Sequence, residues 1–311
     1  MEGGGMSQST YQLRILTEAE DFLAVEELQR IVWPGNETEV IPTHLLISAV
    51  KHGGICIGAY TGGSTDDKGQ LVGFVFGLPA IYHTPDGPRL MHYSHMLGVH
   101  PDHRSEGLGF LLKRAQWQMV RKQGIDRITW TYDPLLSRNA HLNIAKLGAV
   151  CNTYHLDYYG VLRDGLNAGT PTDRFEVDWW VHSQRVNRRL SRQARQQLDL
   201  AHYLAAGAEI INPSGLRSDG LPVPRAIHFP FDVLDQPMPA EAYPGLLLVE
   251  IPSDYLQIKQ LDRDLALEWR LHCRQIFPVL FQQGYFVTDF IYLKGHPARS
   301  LYVLSHGEHT L

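Results

Sequence analysis

The sequence predicts an α/β (α+β) chain, a mixed β-sheet flanked by helices and followed by a second, less regular α/β half. Three observations predict it. Strand-like and helix-like segments follow one another over residues 11–160 in the order β-α-α-β-β-β-α-β-α-β, a meander feeding a strand–helix–strand unit. A strongly amphipathic helix at about 107–123 sits between two strand-like runs and is opened by two glycines. Beyond residue 160 the order strand–helix–strand–strand recurs without those glycines.

Each element has a local reason. Residues 11–17 alternate enough for a first strand, and Thr17 with Glu20 has capping-box spacing ahead of the apolar series Phe22, Val25, Leu28, Ile31 and Val32. Trp33-Pro34-Gly35 stops that helix. A second helix is expected over 42–52, with Leu45, Leu46 and Val50 on one face. Strands follow at 54–61 and 70–78, joined by a polar turn from Gly62 to Asp67, and at 90–99 after the turn from Thr84 to Pro88. Leu108, Leu111, Leu112, Ala115 and Met119 then recur at helical spacing and predict the buried face of the 107–123 helix, which Gly124 ends. Strand 127–132, a short helix over 139–147 stopped by Gly148, and strand 149–159 complete the first half. In the second half a glycine-rich loop over 164–171 precedes an alternating strand at 175–181. An Arg-rich helix over about 183–205, a Pro/Gly-punctuated stretch over 212–245, a strand at 246–251, a helix over about 260–283 and strands at 285–293 and 300–304 follow.

The 311 residues allow two domains, expected at 11–160 and 161–311, after a leader at 1–10 that reads as disordered or as an expression remnant. Hydrophobic residues make up 44% and charged residues 20%, ample for a core. A net charge of −5 gives no general affinity for nucleic acid or an anionic membrane. No apolar run approaches the ~20 residues of a membrane helix, and the leader lacks the basic and apolar regions of a signal peptide. Cys56, Cys151 and Cys273 are scattered and odd in number, which fits a reducing compartment, so a cytoplasmic protein is expected. No His/Cys/carboxylate spacing suggests a metal.

The informative segment runs Leu97-Gly98-Val99-His100-Pro101-Asp102-His103-Arg104-Ser105-Glu106-Gly107-Leu108-Gly109-Phe110. A strand ends, a short polar turn follows, and two glycines open a helix whose first N–H groups have no internal acceptor. That arrangement suits an anion, and a pyrophosphate is its natural occupant. The P-loop is excluded by the missing Gly-Lys-Ser/Thr, and the dinucleotide fingerprint by the missing third glycine.

What remains, R-x-x-G-x-G with its V-x-P lead-in and following L-x-x-L-L, resembles the cofactor signature Q/R-x-x-G-x-G/A of the GNAT acyltransferase superfamily. The resemblance covers about residues 11–160. It implies an enzyme binding acetyl-CoA, or another acyl-CoA such as succinyl-CoA. Backbone amides over Ser105, Glu106, Gly107, Leu108, Gly109 and Phe110 would cradle the pyrophosphate, Arg104 would support the loop, and the pantetheine arm would run along Leu97, Gly98 and Val99. The second half then looks like a degenerate GNAT-like copy that binds no CoA and completes the acceptor pocket. A later family motif is altered, because Ile144 stands where the resemblance would place a tyrosine acid, so no general acid is carried over. Asn139 and Asn143 either touch CoA or cap their short helix.

Strand alternation puts His95 on a face with Tyr93, Leu97 and Val99, and an imidazole there suits general-base work or a structural hydrogen bond. Asp133, ending the 127–132 strand, holds an ammonium or caps the next turn. Asp173 and Arg174 bind an acceptor carboxylate or form a plain salt bridge. Tyr159 is a candidate acceptor contact, and Tyr154, Tyr158 and Tyr159 are otherwise sheet aromatics, one of which could replace the missing acid. Arg185, Arg188, Arg189, Arg192 and Arg195 are most simply a solvated helix face. The expected function is N-acyl transfer to a small-molecule amine or amino acid, with no nucleic-acid or membrane partner and no implied oligomeric state. A CoA-binding regulatory module and a protein acetyltransferase are the alternatives.

Overall fold

The computed structural model describes residues 11–35, 37–62, 69–160, 171–191, 198–231 and 243–307. The leader at 1–10, most of the Gly62–Asp67 turn, most of the 164–171 loop, and Arg192 and Arg195 lie outside the described residues. The chain forms two compact units, Met1–Ile128 and Thr129–Leu311, so the division falls inside a strand rather than near residue 160. The physical reason is pairing. The strand at Val150–His155 bonds to strands of the C-terminal half, and hydrogen-bond partners, not loop composition, decide which unit a strand joins.

In the first unit, β1 (Gln12–Ile15), β2 (Ile55–Thr61), β3 (Gln70–Thr84) and β4 (Gly87–Val99) form consecutive antiparallel ladders. Helices α1 (Ala19–Val32) and α2 (Thr43–Lys51) bury Phe22, Val25, Leu28 and Leu46 against Cys56, Phe74 and Phe76. Each such side chain contributes about 1.5–3 kcal/mol when fully buried. Helix α1 starts at Ala19 with the Glu18 N–H donating to Asp21 at 3.4 Å, one residue beyond the expected Thr17–Glu20 box. Helix α3 (Leu108–Lys122) buries Leu108, Leu112, Lys113, Gln116, Trp117 and Val120. Leu111, expected inside, is 37% exposed. The buried stripe is therefore rotated from the apolar pattern, and it admits two polar residues.

The second unit orders its strands β5-β7-β6-β12-β13-β11-β8. These are β5 (Arg127–Tyr132), β6 (Val150–His155), β7 (Arg174–Trp180), β8 (Glu209–Ile210), β11 (Leu246–Ile251), β12 (Tyr285–Leu293) and β13 (Arg299–His306). β11 and β8 are parallel, which makes the sheet mixed, while β6–β7, β6–β12, β12–β13 and β11–β13 are antiparallel. Helix α4 (Ser137–Ala140) continues as a π-wound turn, His141–Lys146. The expected helix over 183–205 is instead α5 (Gln184–Leu190), ended by Ser191 in an extended conformation, and α6 (Leu200–Ala205). The helix expected over 260–283 is α7 (Tyr255–Leu261) and α8 (Arg263–Gln282), divided at extended Asp262, whose carboxylate caps α8 through the Leu265 N–H at 3.0 Å. The short β9 (Gly215–Leu216) and β10 (Pro222–Val223) pair separately.

Candidate acyl-CoA site

The loop after β4 is built by local hydrogen bonds. His100 N–H donates to the Val72 carbonyl at 2.8 Å, a tight turn runs from Pro101 to His103, and Arg104 N–H donates to the Pro101 carbonyl. The Arg104 guanidinium donates to the Val99 carbonyl at 3.3 Å and to the Val32 carbonyl at 3.5 Å. It ties the end of β4 to the last turn of α1. Ser105 and Gly107 then both take positive φ, 78° and 80°. Left-handed backbone turns present N–H groups inward as an anion-binding concavity. A Cβ on Gly107 would meet nothing within 4 Å, so the space beside the loop is open.

Gly107 is also the N-cap of α3. No side chain caps that end, and no acidic residue lies in the first turn. The N–H groups of the first turn and the positive end of the helix dipole are thus left for an external anion. Glu106 is drawn aside by the Tyr11 hydroxyl, which also lies 3.0 Å from His103 Nδ1. These residues fit a pyrophosphate: a concave backbone, open space and no competing carboxylate in the helix turn.

The strand leading into the loop departs from simple alternation. Phe76 faces Met96 and Leu78 faces Tyr93, so Ser94 and His95 together oppose Gly77, a β-bulge. The bulge corrects the expected face of His95. Its ring packs against Phe76 and Tyr93, at centroid distances of 6.2 and 5.7 Å, on the α1/α2 side of the sheet. Leu97 and Val99 lie on the α3 side, where the facing Gly73 approaches Leu108 and Leu112. His95 is surface-exposed, yet burial of the rest of its ring lowers its pKa below the ordinary 6.5. Both hold for an imidazole with one open edge.

Beneath the bulge is a polar chain that hydropathy gave no means of finding. Lys113 Nζ donates to Ser94 Oγ at 2.9 Å, Ser94 Oγ donates to Gln116 Oε1 at 2.8 Å, and Gln116 Nε2 donates to His92 Nε2 at 3.1 Å. All four residues are buried. Burial, with the neighbouring Lys113, pushes His92 down to about 3, and burial drives Lys113 well below 10.5. Gly77 makes the room, because a Cβ there would lie 2.3 Å from His92 Nε2. A cavity of about 500 Å³ lies elsewhere, along the C-terminal half of α3 over Leu13, Ile15 and Ile57. Its walls are mainly apolar and it is not part of the loop.

The other expected site residues belong to the second unit. Asp133, expected to hold an ammonium or to cap the next turn, does cap that turn, accepting from Leu135 N–H at 2.9 Å, and it also accepts two hydrogen bonds of 2.8 and 2.5 Å from Arg270. A half-buried carboxylate paired in this way with a buried guanidinium is already charge-compensated. Asp173 is likewise taken by Arg274 at 2.8 and 2.6 Å and by the Tyr154 hydroxyl at 2.7 Å. Burial pushes its pKa up, but these donors outweigh that and hold it below the usual carboxylate value. Arg174 stays beside Tyr159, its guanidinium 5.0 Å from the ring centroid. Asn143 is buried and Asn139 half-buried on the helix that begins at Ser137, and Ile144 is fully enclosed in the core. Of the Arg-rich stretch, Arg185 and Arg189 donate to the Gly148 and Ala145 carbonyls, so they are structural rather than a solvated face.

No family model matches the chain, and no curated protein matches it either. Among solved structures it is similar to a putative acetyltransferase of the GNAT family from Desulfovibrio desulfuricans, at 17% identity and TM-score 0.42, over 55% of this chain and 99% of that one. It is similar to Arabidopsis thaliana NAA60 in complex with acetyl-CoA, at 15% identity and TM-score 0.45, over 56% and 100%. It is similar to yncA, a putative acetyltransferase from Salmonella typhimurium with acetyl-CoA, at 14% identity and TM-score 0.42, over 61% and 99%. Likenesses this distant leave the functional reading to the residues of the loop and strand. Among the described residues no helix is long and apolar enough to cross a membrane, and no group of three or more His, Cys, Asp or Glu is placed to hold a metal.

Proposed function

We propose that the protein is an acyl-CoA-dependent N-acyltransferase acting on a small amine or amino acid, with acetyl-CoA the first choice and succinyl-CoA the second. The observation that carries this is the loop of paired left-handed residues, Ser105 and Gly107, opening an uncapped fifteen-residue helix at the end of β4. Its backbone over Ser105–Phe110 would hold the pyrophosphate, with Arg104 bracing the loop from behind and Leu97–Val99 accepting the pantetheine arm. The bound acyl-CoA supplies a thioester. His95 is the residue we assign to remove the proton from the acceptor nitrogen, since a lowered pKa keeps the imidazole neutral near pH 7. No acid is assigned to the departing sulfur, because a thiol of pKa about 8.5 leaves without obligatory protonation.

The test is release of free thiol from acetyl-CoA and succinyl-CoA across amino acids and polyamines, with CoA binding followed by calorimetry. One CoA per chain and turnover with some small acceptor are expected. Two per chain would overturn the reading of the second half as lacking a site. The enclosed Ile144 favours one rival, a CoA-binding regulator without turnover. Tight binding with no thiol release on any acceptor would establish that rival, and activity on folded protein alone would move the acceptor to a polypeptide.

A further inference from the structure

Arg174 and Glu176 stand two residues apart on β7, and the register with β6 puts His155 opposite Arg174 and Thr153 opposite Glu176, all on one face. Opposite charges so placed ordinarily close on each other. Here, among the described residues, no ion pair joins them, because each is held away by its own partners. Glu176 receives a hydrogen bond from Thr129 Oγ1 at 3.2 Å, and its other oxygen lies 2.6 Å from His155 Nε2. Arg174 turns the other way, donating to the Asp173 carbonyl at 2.9 Å with its guanidinium against the Tyr159 ring. Among the described residues the carboxylate within ion-pair distance of it is Asp133, at 4.0 Å, which is already paired with Arg270. Arg174 and Glu176 are both partly open, with side-chain exposures of 19% and 28%.

The wall beside this gap is fixed as well. Tyr159 is held by its hydroxyl at 3.3 Å from Thr131 Oγ1 and by its N–H, which donates to Thr172 Oγ1. The preceding turn contains Asp157 at φ 46°, a strained position for a residue other than glycine. Asp173 accepts from the Asp157 N–H at 3.1 Å, and Arg274 bridges the two carboxylates at 2.9 and 2.6 Å. The outcome is an exposed aromatic pair, Tyr158 and Tyr159, edge to face at 4.8 Å, on a pinned turn beside a separated cation and anion.

We infer that this face binds a zwitterion, an α-amino acid, with its carboxylate on Arg174, its ammonium on Glu176 and its side chain against Tyr158 and Tyr159. Residues two apart on a strand are about 6.6 Å apart at Cα. Two long side chains of that spacing reach around charges a few ångströms apart. The inference rests on the N-acyltransferase reading and names its acceptor class: an amino acid rather than a simple amine. Its residues are all distinct from those assigned to CoA, so the two readings fail separately.

The experiment is calorimetry on the full chain, with and without saturating CoA. Phenylalanine, leucine, glutamine and lysine are each compared with the matching decarboxylated amine and deaminated acid. At least one amino acid should bind ten-fold or more tighter than both of its relatives. A charge-assisted contact is worth ~10–100-fold, so Arg174→Met should weaken the amino acid by that factor and leave it no better than its amine. Glu176→Gln should weaken amino acid and amine alike. Arg174→Lys, which keeps the charge and loses the fork, should fall between, and it serves if the methionine variant melts early. Amines binding as well as amino acids, folded variants with unchanged affinity, or no binding by any compound would each overturn the inference. Loss of CoA binding with amino-acid binding intact would instead sink the acyltransferase reading.

Discussion

Gly107 offers a substitution pair in which stability and affinity should move in opposite orders. Its φ of 80° is left-handed, and an added Cβ meets no atom within 4 Å, so the cost of a side chain there is conformational rather than steric. For alanine that cost is about 1–2 kcal/mol. Aspartate tolerates the same conformation better, so stability should run glycine, then aspartate, then alanine. Affinity for CoA should run glycine, then alanine, then aspartate. A carboxylate about 5 Å from a pyrophosphate carrying about two charges is opposed by roughly 1.7 kcal/mol even at the dielectric of water, and by more at the loop surface. That is over ten-fold in affinity at about 1.4 kcal/mol per decade. Melting temperature fixes the first order, and CoA titration calorimetry fixes the second. Raising salt from about 0.05 to 0.5 M should narrow the aspartate–alanine gap, because exposed charges are screened within about a Debye length. If Gly107→Asp binds CoA as tightly as Gly107→Ala at low salt, no pyrophosphate sits at this loop.

Two further expectations concern the histidines of β4. His95→Gln should lower kcat/KM by at least ~30-fold with little change in melting temperature, since a general base is worth ~10²–10⁴. The wild-type acidic limb should lie below 6.5, because burial lowers the His95 pKa, and a limb that survives the substitution removes His95 from the chemistry. For His92 the folded pKa of about 3 lies below the unfolded 6.5, so the folded state binds fewer protons between them. Stability should therefore fall as pH drops through that window, by up to ~1.4 kcal/mol per pH unit, and His92→Gln should flatten the slope in denaturant titrations. An unchanged slope would mean that His92 is protonated in the fold.

The α/β class, the strand order of the first 130 residues and the glycine loop were legible because hydropathy period and glycine position are local signals. The turn from Pro101 to Gly107 is one such case: its left-handed residues are specified within a few positions. The face of His95 was not legible. Alternation assumes one residue opposite one, and the bulge at Ser94 and His95 depends on Gly77, which is distant in sequence. Asp133 and Asp173 could not be matched to their partners for a related reason. Their partners, Arg270 and Arg274, sit more than a hundred residues away on α8, where an arginine four residues from another reads as an ordinary solvated pair. The gap between Arg174 and Glu176 was invisible because a sequence records that charges alternate, not whether they meet.

The buried lysine beneath the bulge ties these observations to a cost. Lys113 fills a core position of α3 and donates to Ser94, a bulge residue, while Gln116 one turn on carries the chain to His92. A regular strand would have carried the backbone past this region with one residue opposite Gly77. The bulge brings Ser94 onto the α3 side while His95 stays on the other, and the Lys113–Ser94–Gln116 contacts hold that arrangement. Keeping an amine in the core opposes folding wherever the unfolded lysine is protonated. The folded pKa lies well below 10.5, so the folded state binds fewer protons, and the penalty is present below about pH 10.5 and vanishes as pH rises through it. Lys113→Met keeps the stem volume without the amine. It should be more stable than wild type at pH 7, and the difference should close near pH 10.5 in paired unfolding titrations. If the bulge is the reason the lysine is there, the same variant should lose kcat more than CoA affinity, because Ser94 adjoins His95 while the loop at Ser105 to Gly107 is held by its own bonds. A variant that gains stability and keeps full kcat would show that the bulge stands without Lys113.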